Sequence, residues 1–118
     1  MQPLPHDKNA EAAVLGGILL RNESFSETSL ILGNDAFFIP AHRFVYAAMQ
    51  ELASDGQPID IITLEHTLRR EGALDMVGGI EGIGRLTDRF GTSRGIVALA
   101  WRLRKLAAER GEIEALGR

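Results

Sequence analysis

At 118 residues, with 45 % hydrophobic and 25 % charged side chains, the chain has a globular composition and is most naturally one domain, too short for two independent cores. The absence of cysteine excludes a disulfide framework, thiolate chemistry and zinc-finger spacing, and agrees with a reducing cytoplasm. A formal net charge of −3 gives no support for a domain whose main task is coating nucleic acid. No apolar run approaches the ~18 residues of a membrane span, and the opening MQPLPHDKN lacks the basic-then-apolar form of a secretory signal.

Residues 1–6 hold two prolines and read as an extended arm. Asp7 caps a helix running to about Leu20, with Ala10, Val14, Leu15, Ile18 and Leu19 on one face. Gly16-Gly17 interrupts it, and each glycine costs roughly 1 kcal/mol relative to alanine there. The pair is tolerable where another backbone packs closely; no lysine follows, so it is not a phosphate loop. Ser24-Phe25-Ser26-Glu27 has the Ser-x-x-Glu form of a capping box. It predicts a short helix with Phe25, Leu30, Ile31 and Leu32 turned inward, ended by Gly33-Asn34.

Pro40 suits the first position of the next helix, because its missing N–H has no partner there anyway. Phe44, Val45, Ala48, Met49 and Leu52 share one face; Arg43, Gln50 and Glu51 take the other. Ser54-Asp55-Gly56-Gln57-Pro58 stops the helix, with Gly56 in a left-handed cap. Asp60 or Thr63 caps a further helix whose apolar face is Ile61, Leu64, Thr67 and Leu68 and which ends at Gly72. A turn over 74–79 leads to a helix at 80–90, with Ile80, Ile83, Leu86, Thr87 and Phe90 on one side. The glycines at 78, 79, 82 and 84 do not make a dinucleotide site, because no strand precedes them.

Gly91-Thr92-Ser93 breaks and re-caps the chain, and the last helix is expected from Arg94 toward Leu116. Ile96, Leu99, Leu103 and Leu106 step by three, four and three, a heptad seam; Arg110 takes the next seam position and Ile113 resumes it. These six residues are the candidate interface, packing either along the chain's own domain or along a second chain. Trp101 lies off the seam, either over the domain body or exposed at a contact surface. Residues 1–93 hold 7 Lys+Arg against 13 Asp+Glu, whereas residues 94–118 hold 6 against 3. An acidic body therefore precedes a basic last helix, which either meets an acidic partner or is simply solvated. No strand survives, since the β-branched run Ile59-Asp60-Ile61-Ile62 leads straight into a helix. The fold class is all-α: a compact orthogonal bundle of about six helices.

No catalytic constellation emerges. His6, His42 and His66 stand on different elements, without the i, i+4 spacing of a metal site. Acidic residues such as Asp35 and Asp60 cannot be brought together from sequence. No G-x-S-x-G elbow and no G-x-x-x-x-G-K-[ST] loop occurs. The expected site therefore has no catalytic, cofactor-binding or metal-ligating residue.

Three blocks carry a family resemblance. AFFIPAHRFVYAAMQEL (36–52) and GQPIDIITLEHTLRREGALDMVGG (56–79) resemble the N-terminal domain of bacterial replicative DNA helicases of the DnaB family, and EAAVLGGILL (11–20) resembles that domain's first helix. They lie in the family's order at similar spacing and cover most of the chain. The resemblance implies a head joined by a linker to a RecA-like motor, which hydrolyses ATP with magnesium and unwinds DNA at the replication fork. It implies that heads pair through a helical hairpin into a collar on a hexameric ring. It further implies that the collar docks primase and, in some systems, takes part in loading. On that footing 1–93 is the globular head and 94–118 begins the hairpin or linker arm, with the motor absent. The chain itself has no enzymatic activity and no cofactor. Its partners are other heads, primase and a helicase loader; DNA is reached through the parent, and no membrane is involved. The setting is the bacterial cytoplasm, at the nucleoid-associated replisome.

The chain departs from the family in places. It stops at Arg118, where the hairpin's second helix is expected to follow, so half the usual pairing surface lies outside it. Gly91-Thr92-Ser93-Arg94-Gly95-Ile96 replaces a Pro-Thr-Ala-Ala-Asn-like segment, and Trp101 stands where a smaller or different residue is common. Two other readings stay open. One is a free-standing helical adaptor or regulator of a helicase. The other is a weak nucleic-acid-binding module working through Arg94, Arg102, Arg104, Lys105 and Arg110.

Overall fold

The computed structural model describes residues 3–88 and 95–113. Asp7 opens α1 (Lys8–Leu20) by accepting the Ala10 N–H at 2.9 Å. The helix buries Ala10, Ala13, Val14, Leu15 and Ile18, and with them Glu11 and both glycines. Such a helix, covered on most sides, belongs at the centre of a fold, and α1 packs against α2, α3, α5 and α6. Gly16 is the reason α5 comes so near: a Cβ there would lie 2.1 Å from the Leu86 carbonyl oxygen.

α2 (Ser24–Ile31) lacks the expected capping box. A turn at residues 21–23 supplies backbone carbonyls instead, Arg21 O to the Ser24 N–H at 3.0 Å and Asn22 O to the Phe25 N–H at 2.9 Å. Ser24 is thereby buried, and its own carbonyl accepts the Thr28 hydroxyl at 2.7 Å. The inward face is Ser24, Thr28 and Ile31, with Leu32 buried just beyond and Phe25 half-buried. Leu30, expected inside, is 86 % exposed, since it lies one residue off this i, i+4, i+7 stripe. A 3₁₀ turn (Asn34–Ala36) that the sequence did not announce then leads to Phe37.

α3 (Pro40–Ser54) begins at its proline and ends at Gly56, whose φ is 69°. Its buried stripe is His42, Val45, Tyr46, Ala48, Met49 and Leu52. The expected face is turned slightly: Phe44 is 41 % exposed and Tyr46 takes the interior position, donating its hydroxyl to Leu32 O at 2.8 Å. α4 (Ile61–Arg70) is capped by both candidates at once. Asp60 accepts the Thr63 N–H at 2.8 Å while Thr63 Oγ1 accepts the Asp60 N–H at 3.0 Å. Leu64, Thr67 and Leu68 are buried and Ile61 packs half-buried on the core. Asn22 ties these elements to α1: its amide donates to Ile18 O at 3.0 Å and Ile59 O at 2.8 Å and accepts the Ile59 N–H at 2.7 Å.

α5 (Gly79–Asp88) buries Ile83 and Leu86, while Ile80 is 46 % exposed and Thr87 half-buried. Phe90 and the break at 91–93 lie outside the described residues. α6 (Ile96–Glu109) is shorter than its periodicity suggests. Gly111, at φ 82°, closes it: the Gly111 N–H bonds Ala108 O and the Glu112 N–H bonds Ala107 O, both at 3.0 Å. This left-handed cap takes up two of the last carbonyls and ends the helix at Glu109; Arg94 and residues 114–116, over which the sequence also predicts helix, lie outside the described residues. α6 lies on α1 and α2 and contributes to the same core as the other helices. The described residues thus form six α-helices and no strand, as expected for an all-α bundle.

Candidate interaction surface

On α6 the inward stripe is Ile96, Ala100, Leu103 and Ala107, stepping four, three and four. The seam expected from sequence straddles it. Ile96 and Leu103 are 6 % and 1 % exposed, buried in their own domain, while Leu99, Leu106 and Ile113 sit half-buried at the edges. The two alanines explain the rotation, because small side chains let α6 approach α1 closely.

Arg110 belongs to the interior. Its side chain is 1 % exposed; it donates to Pro5 O at 2.9 Å and Ala36 O at 3.2 Å, pairs with Glu112 at 3.3 Å, and lies 5.4 Å from the Phe38 ring centre. The other arginines of α6 are also engaged. Arg102 pairs with Asp7 at 2.7 Å, and Arg104 donates to Ile31 O at 2.8 Å beside Trp101. The Ala10 N–H and then Arg102 hold the Asp7 carboxyl below its usual range. Trp101 is 44 % exposed, which answers the question the sequence left open.

The histidines do not converge. His6 stacks on Phe38 with ring centres 4.2 Å apart, and His66 is an exposed neighbour of Glu65. Among the described residues no three side chains are placed to hold a metal ion. His42 has a different role, which the sequence reading missed together with that of Glu11. Glu11 is fully buried, and its carboxylate accepts the Phe38 N–H at 2.8 Å, the Ile39 N–H at 3.2 Å and His42 Nδ1–H at 2.8 Å. Ile39, the N-cap of α3, has no side chain able to cap, and α1 instead anchors the backbone just ahead of the helix from across the core. The signal was a carboxylate inside the apolar run EAAVLGGILL, where an unpaired charge is not tolerated.

Among the surface grooves of the described residues, two are bordered by α3. One of about 250 Å³ runs between α3 and α4, past Phe44, Ala47 and Leu68, with Glu51 and Glu71 at its rim. Arg70 pairs with both of those carboxylates. The other, of about 490 Å³, opens between the start of α1, the first turn of α3, and α5.

A family model described as the DnaB-like helicase N terminal domain matches residues 3–105. A replicative DNA helicase DnaB of Haemophilus influenzae is 36 % identical over 96 residues, covering 81 % of this chain and 20 % of that protein. A replicative DNA helicase DnaB of Buchnera aphidicola is 40 % identical over 83 residues, covering 70 % of this chain and 18 % of the relative. These alignments therefore span about a fifth of the curated relatives' length. Among solved structures, the N-terminal domain of DnaB helicase from Mycobacterium tuberculosis superposes with a TM-score of 0.87 at 31 % identity, over 92 % of this chain and 78 % of that one.

Proposed function

Because this chain belongs to the DnaB-like helicase N-terminal domain family, we propose that it serves as the assembly and recruitment head of a replicative DNA helicase. On this reading it joins other heads in the collar of a hexameric ring and receives primase, and in some settings a loader. ATP and magnesium belong to the parent's motor, DNA is met through the parent, and the chain itself turns over no nucleotide. The setting is the bacterial cytoplasm.

The observation that carries the reading is how the polar chemistry is distributed. Buried polar groups such as Glu11, His42 and Thr28 are satisfied within the fold, and three arginines of α6 are tied to backbone or carboxylate. What faces solvent is a set of large apolar side chains: Leu30 at 86 %, Ile62 at 60 %, Ile80 at 46 %, Trp101 at 44 % and Phe44 at 41 %. Exposed aromatic and aliphatic side chains on a rigid helical frame suit protein contacts, not catalysis. The contacts of Arg102, Arg104 and Arg110 weigh against a nucleic-acid-binding module on α6, since phosphate binding requires cations that are not already committed; of the other two candidates, Lys105 is exposed without a partner among the described residues and Arg94 lies outside them.

The test is deletion of this domain from a parent helicase. Native mass spectrometry and primase-stimulated unwinding should both show impaired ring assembly and lost primase response, with ATP hydrolysis by the motor retained. Unchanged assembly and unchanged primase response would overturn the proposal. Recovery of the chain as a separate polypeptide on an intact ring would favour the adaptor reading instead.

A further inference from the structure

The groove between α1, α3 and α5 holds chemistry that ring assembly does not explain. Lys8 lines it from α1 and Arg85 from α5. Both are exposed, and neither has a hydrogen-bond or ion-pair partner among the described residues. This contrasts with Arg102, Arg104 and Arg110, all committed to internal contacts. Between the two cations the walls are apolar, formed by Ala12, Ile39, Val77 and Leu86. The third side is the opening turn of α3, through Ala41 and His42. That end of a helix carries partial positive charge. The Glu11 carboxylate beneath it is fully buried and already accepts from Phe38, Ile39 and His42. Asp88 is the one acidic residue on the lining.

We propose that this groove docks a segment of a partner polypeptide that presents an acidic side chain next to an aliphatic one. The carboxylate sits between Lys8 and Arg85, and the aliphatic group packs on Ile39, Val77 and Leu86. Charge complementarity selects the acid: a guanidinium fork and an ammonium on the same lining both favour a carboxylate. The apolar walls select its neighbour, and about 490 Å³ admits a few side chains in a small-ligand-sized cleft. The inference rests on the reading of this domain as a docking module and names the chemistry that one of its surfaces recognises.

The experiment starts with selection of displayed random short peptides against the chain, followed by amide-shift mapping of a selected peptide. Enriched sequences should pair Asp or Glu with Leu, Ile or Val, and shifts should cluster at Lys8, Ile39, His42, Val77 and Arg85. Lys8→Glu and Arg85→Glu should each weaken binding about tenfold, the order expected for a lost charge pair at an interface. A peptide with its acid changed to Lys should regain affinity for Lys8→Glu. Both sites are exposed, and a glutamate in the first turn of α1 is compatible with the helix dipole; Arg85→Gln serves as the milder second variant. Selected peptides without an acid, shifts mapped elsewhere, no enrichment, or equal shifts with inorganic phosphate alone would each overturn the proposal. In a parent helicase, partner association lost on deleting the domain but kept in both charge-reversal variants overturns the groove and leaves the docking module standing. Association kept even after deletion overturns the docking reading itself.

Discussion

Glu11→Ala should be among the most damaging substitutions in this domain. The carboxylate is fully buried and accepts three hydrogen bonds, two from the backbone ahead of α3 and one from His42. Its removal strands the Phe38 and Ile39 N–H groups and leaves His42 facing a void. Each charge-assisted bond contributes about 1.5–3 kcal/mol, and a buried donor left unmade costs about 1–3 kcal/mol. Both backbone donors are only partly buried, so water recovers some of that loss, and the sum falls to about 3–5 kcal/mol. This is a large share of the ~5–15 kcal/mol that holds a typical domain together. Urea unfolding followed by circular dichroism at 222 nm reads it directly. With a slope of about 1–3 kcal/mol per molar urea, the midpoint should fall by about 1 M or more. Glu11→Gln keeps one acceptor and the shape, so it should lose roughly half as much. In a double-mutant cycle, Glu11→Gln and His42→Ala should be non-additive by about 1 kcal/mol or more, as for residues in one hydrogen-bonded network. A midpoint shift below about 0.5 M for Glu11→Ala would refute the claim that Glu11 anchors the entry to α3.

Gly16→Val should disrupt the crossing of α1 and α5, because even a Cβ would stand 2.1 Å from Leu86 O and the obstacle is backbone. A loss of about 2–4 kcal/mol is expected from such overpacking and shows as a lowered thermal midpoint; Gly84→Ala, where a Cβ meets nothing within 4 Å, is the control. Asn22→Ala should cost about 2–3 kcal/mol by releasing three bonds, and hydrogen exchange should report lost protection of the Ile59 amide. Burial pushes the phenol of Tyr46 up to about 12. The folded state then holds its proton more tightly than the unfolded chain, so stability is fully present below pH 10 and falls as pH rises from there toward 12. Tyr46 is the only tyrosine, so ultraviolet titration assigns the inflection without overlap, and Tyr46→Phe should abolish that pH dependence.

Local chemistry explains which parts of the fold were legible in sequence. The Asp7 cap, the Pro40 start and the Gly56 stop formed as read, and Asp60 and Thr63, expected as alternative caps, act together; all depend on atoms within five residues of one another. The failures are tertiary. Leu30 points outward and Tyr46 inward because the neighbouring elements decide which helical stripe is covered, and periodicity then fixes which residues lie on it. Ser24 and Glu27 have the letters of a capping box, but the preceding turn had already supplied the carbonyls. Glu11 was invisible for the same reason: its partners stand 27 to 31 residues away. On α6 the leucine spacing passed over two alanines of the buried stripe. Ala100 and Ala107 are fully buried because a small side chain marks where helix backbones come closest.

The basic last helix illustrates why sign counting misleads. Summed along the chain, α6 looks like a positive strip waiting for an acidic partner. In the fold, Arg102 meets Asp7 at the start of α1, Arg104 meets the Ile31 carbonyl at the end of α2, and Arg110 meets carbonyls of Pro5 and Ala36. Carbonyls at a helix end carry partial negative charge, and a guanidinium has five donors with which to collect them. α6 therefore acts as a clasp on the ends of three other segments. The charge of Arg102, Arg104 and Arg110 is thus committed to local order, while Lys105 stays exposed on the same helix. Lys8 and Arg85, which sign counting along the chain did not single out, are exposed as well and stand over an apolar cleft with no partner among the described residues.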